Sequence, residues 1–93
     1  NLSFIMPTEN QIKDAVKAIK KQLENPNIDN EKNVGIKEGY TKAVEILGSP
    51  NLIWIYGQVS ELKTEQGRAI AILAIDFLNG KCSHKHLCKI PIQ

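Results

Sequence analysis

Four side chains near the end of the sequence are of types that bind metals or bridge covalently. Cys82, His84, His86 and Cys88 make the pattern C-x-H-x-H-x-C within KCSHKHLCKIPIQ. Cysteine thiolate and neutral imidazole are ordinary zinc ligands, so a Cys2His2 site is one alternative reading. The spacing argues against it. Structural sites draw their ligands from two separated pairs, and wrapping four donors from one short run around a tetrahedral ion strains the backbone. The simpler reading is a Cys82–Cys88 disulfide closing a short loop, with both histidines in solvent, and two free thiols are the remaining alternative. By loop closure such a bridge contributes about 2–3 kcal/mol at most, chiefly by pinning the tail. A close cysteine pair in a small domain also points to an oxidising compartment, so a secreted or periplasmic location is expected. Either histidine could change charge between roughly pH 5 and 8, although no neighbour in sequence gives that charge a use.

Other chemistry-bearing residues are isolated. Asp76 is the one carboxylate in the apolar run Arg68–Leu78, RAIAILAIDFL. A buried, unpaired charge there would be expensive, so Asp76 should mark the wet edge of a helix, pair with a lysine or meet a partner. Arg68 lies about two helical turns earlier and faces roughly the same side. Trp54 and Tyr56 are either packing residues or an exposed aromatic anchor, since Trp, Tyr and Arg are enriched at interface hot spots. The candidate binding residues are therefore Trp54, Tyr56, Arg68 and Asp76. Lys13, Lys17, Lys20 and Lys21 make the first helical segment basic. Glu9, Asp14 and Glu24 interrupt that charge, which favours an ordinary solvated face over a membrane surface or an acidic partner. Ser83 stands beside His84, but adjacency in sequence is not catalytic geometry. Glu61 and Glu65 could share a helical face, a pattern equally typical of open surface. No phosphate loop, HExxH or C-x-x-C is present, and no cofactor is expected.

The elements that would have to position these residues read as helices. The chain of 93 residues carries twelve Lys or Arg against ten Asp or Glu. That surplus is too small for a nucleic-acid footprint. No apolar run reaches the roughly 18–20 residues of a bilayer span. Residues 1–7 (NLSFIMP) read as extended. Thr8 and Gln11 then have the types and spacing of a capping box, with Met6 and Ile12 where a hydrophobic staple belongs. Ile12, Ala15, Val16, Ile19 and Leu23 follow at helical spacing, and Asn25-Pro26 ends the helix. Asp29 or Asn30 can cap a second helix with the face Ile36, Tyr40, Ala43, Val44 and Leu47, which Val34 could join. Gly35 and Gly39 either sit where another helix crosses closely or reflect a late helix start. Gly48 reads as a left-handed C-cap, with Pro50 as a stop.

LIWIY at 52–56 is strand-like in composition, yet a lone strand has no partner unless residues 2–5 or 90–92 supply one. Read as a helix capped by Ser49, it puts Leu52, Ile55, Tyr56, Val59 and Leu62 on one face. Thr64 can cap the last helix, which is apolar around most of its circumference and should lie centrally with others against it. The expected fold is one domain, residues 1–93. It is an all-α four-helix bundle (8–25, 30–47, 50–62, 64–79) with a disulfide-closed tail. The expected function is that of a small secreted or periplasmic protein-binding module, such as an inhibitor, immunity-type protein or effector, and not an enzyme. A zinc module, an apolar-ligand carrier and a small hydrolase are the alternatives.

Overall fold

The computed structural model describes residues 6–49 and 52–93, with side chains for all of these except 52–54. The expectation for residues 1–5, and the part assigned to Pro50, lie outside the described residues. The fold is all-α, with no strand among the described residues. Three helices are long: α1 (Glu9–Leu23), α2 (Val34–Gly48) and α4 (Glu65–Leu78). Two are shorter, α3 (Leu52–Ser60) and α5 (His84–Cys88), and one 3-10 turn at Glu31–Asn33 leads into α2.

Local chemistry sets most of the helix ends. The Gln11 N–H donates to Thr8 Oγ1 at 3.1 Å and the Thr8 N–H to Gln11 Oε1 at 2.8 Å, completing the capping box. Met6 is mostly exposed, so the staple is not closed at that residue. Asn30 Oδ1 accepts from the Lys32 N–H and starts the 3-10 turn. At the end of α4 the Lys81 N–H reaches Asp76 O and the Gly80 N–H reaches Phe77 O. Those two bonds are a Schellman motif, and Gly80 takes the left-handed conformation (φ 74°) that it requires. Gly48 does not play that part, because it lies within α2 and the helix ends on an extended Ser49.

The four-helix expectation differs from the structure at its centre. The middle of the fold is α2, which packs against α1, α3 and α4. Ile12 of α1 and Leu47 of α2 line the same surface hollow, so these two helices run antiparallel. In contrast, Gly35 faces Thr64 and Gln66 while Gly39 faces Gly67 and Ile70, so α2 and α4 run in the same sense along their contact. The glycines are what permit this. A Cβ on Gly39 would stand 2.6 Å from Ile70 Cβ and 3.0 Å from Gly67 O, and one on Gly35 would stand 2.9 Å from Gln66 Cβ. Close crossing, not a late start, therefore explains the pair.

Nor is α4 buried all round. Gly67, Ile70, Ala71, Ala74, Ile75 and Phe77 face inward. Glu65, Ala69, Ile72 and Asp76 recur at spacings of four, three and four and form its open stripe, with Ile72 47% exposed. The short helix α5 packs on both α4 and α1, and its Leu87 is completely buried.

Candidate functional site

The C-terminal cysteines and histidines are not assembled into a site. Cys82 and Cys88 are free thiols. The Cys82 Sγ points to Leu73 O of α4 at 3.6 Å, and the Cys88 Sγ to Ala15 O of α1 at 3.9 Å. The intervening residues form α5, which directs the two sulfurs to different helices. The expected disulfide-closed loop is thus replaced by a helical turn held through packing. His84 and His86 are exposed, and the Ser83 hydroxyl lies 3.3 Å from His86 Nδ1 with no carboxylate bonded to the ring. Among the described residues no group of three or more His, Cys, Asp or Glu converges as a metal ion would need, so the four-ligand zinc alternative is not built.

Both thiols hold their protons more tightly than a free cysteine does. Burial pushes the Cys82 thiol up, and the nearby Asp76 charge adds to this. Burial alone raises Cys88. Tyr40 rises for the same reason, with the neighbouring Cys88 adding to the shift and the Ile90 backbone opposing it. A group whose folded pKa is raised contributes stability that is complete below its unfolded value and lost as pH climbs above it. The fold is therefore expected to weaken above about pH 9, the ordinary thiol value. Denaturant midpoints between pH 7 and roughly pH 10.5 test this, and Cys88→Ala should flatten the alkaline limb.

The candidate binding residues have separate fates. Arg68 is half-buried, and its Nη1 donates to Leu62 O at 2.7 Å in the turn before α4. Asp76 sits half-buried on the open stripe of α4. Tyr56 is 59% exposed, because Ile55 and Val59 turn inward and leave it on the opposite side of α3. Its expected place on the inner face is thereby corrected. Trp54 belongs to α3, and its side chain lies outside the described residues.

Two polar constellations escaped the sequence. In the first, the Glu38 carboxylate of α2 accepts from the Lys63 N–H (2.9 Å), the Thr64 N–H (3.0 Å) and the Thr64 hydroxyl (2.7 Å). Thr64 Oγ1 in turn accepts from the Gly67 N–H. A carboxylate from one helix thus anchors the cap of another, and it lies against the positive end of the α4 dipole. Partial burial pushes Glu38 up, but these bonds and the Arg68 charge outweigh it and hold its carboxyl below the ordinary value of 4.5. Such a group stabilises fully above that value and less as pH falls through its folded pKa. Acid should therefore loosen the α2–α4 contact, and Glu38→Gln should flatten the acid limb of a urea-midpoint profile between roughly pH 3 and 7.

The second constellation surrounds Asn33, the one buried polar residue among those described, at 0% exposure. Its Nδ2 donates to Asn27 O and to Gln93 O, both at 2.8 Å, and its Oδ1 accepts from the Gln93 N–H at 3.0 Å. Both N–H donors of the amide and one of its two carbonyl lone pairs are used. The sequence carried no signal for it, since Asn33 falls inside the helix expected at 30–47 and its partners lie 6 and 60 residues away.

The surface hollows are open clefts. One of about 220 Å³ lies between the start of α1 and the turn after α4, with Asp14, Cys82 and His84 on its walls. It brings no activated base or nucleophile together. The cavity near Trp54 expected of an apolar carrier falls partly on side chains outside those described. Among the described residues no helix is long and apolar enough to cross a membrane. Comparison with protein-family models, curated proteins and solved structures finds no match.

Proposed function

We propose that the chain binds another protein and performs no reaction of its own. The observation that carries this reading is Tyr56, exposed on the short apolar helix α3 while the described aromatics Tyr40 and Phe77 are buried. Tyrosine offers large contact area at little cost in side-chain entropy, which makes an outward-facing one a natural anchor. Val34 and Ile72 are further large apolar side chains left at the surface, at 52% and 47% exposure. The groups that could have done chemistry are engaged in architecture instead. Glu38 anchors the cap of α4, Arg68 bonds to the turn before it, Asn33 holds Gln93, and the thiols face backbone carbonyls. The proposal does not depend on a compartment.

A photo-crosslinking residue placed at position 56 tests it in extracts of the source cells. A discrete adduct is expected from that position and not from the exposed position 10 on α1. Identical adduct patterns from both positions, or none from either, would remove Tyr56 as the anchor.

A further inference from the structure

Asn79-Gly80 joins the end of α4 to the segment that carries α5. Of the eight asparagines in the chain, Asn79 alone precedes glycine. The others precede larger residues that crowd the nitrogen following them. An asparagine before glycine is open to attack by its own backbone. The Gly80 nitrogen loses its proton to solvent base and adds to Asn79 Cγ. The new C–N bond closes a five-membered ring, the Cγ–Nδ2 bond breaks, and ammonia leaves with a proton returned by the solvent. Water then opens the ring at one of its two carbonyls. Opening at Cγ leaves aspartate on an ordinary backbone. Opening at the main-chain carbonyl leaves isoaspartate, whose main chain runs through Cβ and is one atom longer.

The fold holds this reaction off in two ways. The Gly80 N–H is donated to Phe77 O at 3.0 Å, so the nitrogen that must attack keeps its proton and faces α4. Asn79 has ψ 4°, which eclipses the Gly80 nitrogen with the nitrogen of Asn79 itself. Ring closure requires that nitrogen to align with Cβ instead. Both restraints belong to the Schellman turn, whose outer bond runs from the Lys81 N–H to Asp76 O at 2.8 Å. Asn79 is only half-buried, so water reaches it once the turn opens. What resists opening is α5. Of its five residues only Leu87 and Cys88 are buried. Further ties are Cys82 Sγ to Leu73 O and Gln22 Nε2 to Cys88 O. A short element with so little buried surface opens locally far more often than the whole chain unfolds.

We propose that Asn79-Gly80 is a self-modifying joint, restrained by the folded turn and released by local opening of α5, and that its conversion to isoaspartate undocks α5. The extra main-chain atom falls between the Asp76 carbonyl and the Lys81 N–H, so the two bonds of the turn no longer close together. Conversion also puts a carboxylate at the negative end of the α4 dipole, three residues after Asp76. Leu87 then leaves its seat together with Cys88, whose thiol in the intact fold lies against Ala15 O. The chain has no means of reversing the step, so a folded population loses its α5 contact with age. The joint is distinct from the Tyr56 face and stands if that face proves unused.

Ageing the full chain in near-neutral buffer, with and without urea, tests this by peptide mapping across residues 79 and 80. The folded chain is expected to convert at least about tenfold more slowly than the chain in urea. Leu87→Ala, which loosens α5, should raise the folded rate about tenfold. If that variant loses its helical circular dichroism, Gln22→Ala replaces it, with an expected rise of about fivefold. The aged folded chain is then separated by charge. Its isoaspartyl fraction should react with maleimide at Cys88 about tenfold faster than the unconverted fraction. Asn79→Gln, which forms only a larger and slower ring, should keep Cys88 masked through the same ageing. Equal conversion with and without urea would overturn the restraint. Unchanged Cys88 labelling of the isoaspartyl fraction would overturn the undocking, and unmasking of Cys88 in Asn79→Gln would refute it by placing the cause elsewhere.

Discussion

Gly39→Ala is expected to destabilise the fold by about 2–3 kcal/mol, enough to lower the melting temperature by roughly 10–20 °C in a domain of this size. The sign is the informative part. In a free helix the same substitution would help by about 1 kcal/mol, because alanine loses less backbone entropy than glycine. Here the new methyl would meet Ile70 Cβ at 2.6 Å and the Gly67 carbonyl at 3.0 Å. Neither is the far end of a flexible side chain, so α2 and α4 would have to separate. Separation strains the Glu38 bonds to Lys63 and Thr64 as well, since they span the same contact. Gly57 supplies the control. It lies inside α3, is exposed, and has nothing within 4 Å of where its Cβ would stand. Gly57→Ala should therefore stabilise by about 0.5–1 kcal/mol. Thermal melts of the two variants should move in opposite directions, and movement of both upward would show that the helices do not cross where described.

Asn33→Ala should cost about 2–4 kcal/mol, since it removes three hydrogen bonds and leaves a small void in a fully buried place. The damage should be uneven. Asn27 lies in the turn before the 3-10 segment, and Gln93 belongs to the strap formed by residues 87–93, so both lose their shared anchor. Hydrogen exchange at the Gln93 amide should accelerate more than exchange in α2 or α4. Gln22→Ala offers the comparison, because it deletes one longer, part-buried bond to the same strap, at 3.2 Å. Its expected cost is about 0.5–1.5 kcal/mol. Equal losses for the two variants would mean that the strap is held by Leu87, Ile90 and Ile92 packing alone.

The locally encoded features were legible without a structure. The Thr8–Gln11 box, the Thr64 cap, the Asn79-Gly80 stop and the inner faces of α1 and α2 each depend on residues within one or two turns of each other. Helix at 52–60 followed from the lack of a strand partner. The misreadings share a different origin. Tyr56 belonged to a plausible apolar face in sequence, and only the direction of α3 against α2 and α4 decided that Ile55 and Val59 turn in and Tyr56 out. The apolar run of α4 looked central because composition reports how much surface must be covered and not by what. The cysteines looked bridged because their separation is short, but a helical turn between them sends each thiol to a different helix.

Thus residue types and their local spacing determined that this chain makes helices, where most of them begin, and that a glycine pair in α2 needed a reason. The tertiary structure alone decided that the reason is a crossing with α4, that Glu38 caps a helix 26 residues away from it at Thr64, and that Asn33 holds a backbone segment 60 residues distant. The physical cause is range. Capping and periodicity are energies between neighbours along the chain, whereas a trans cap, an amide clamp and a close crossing exist only after packing has brought distant backbone together.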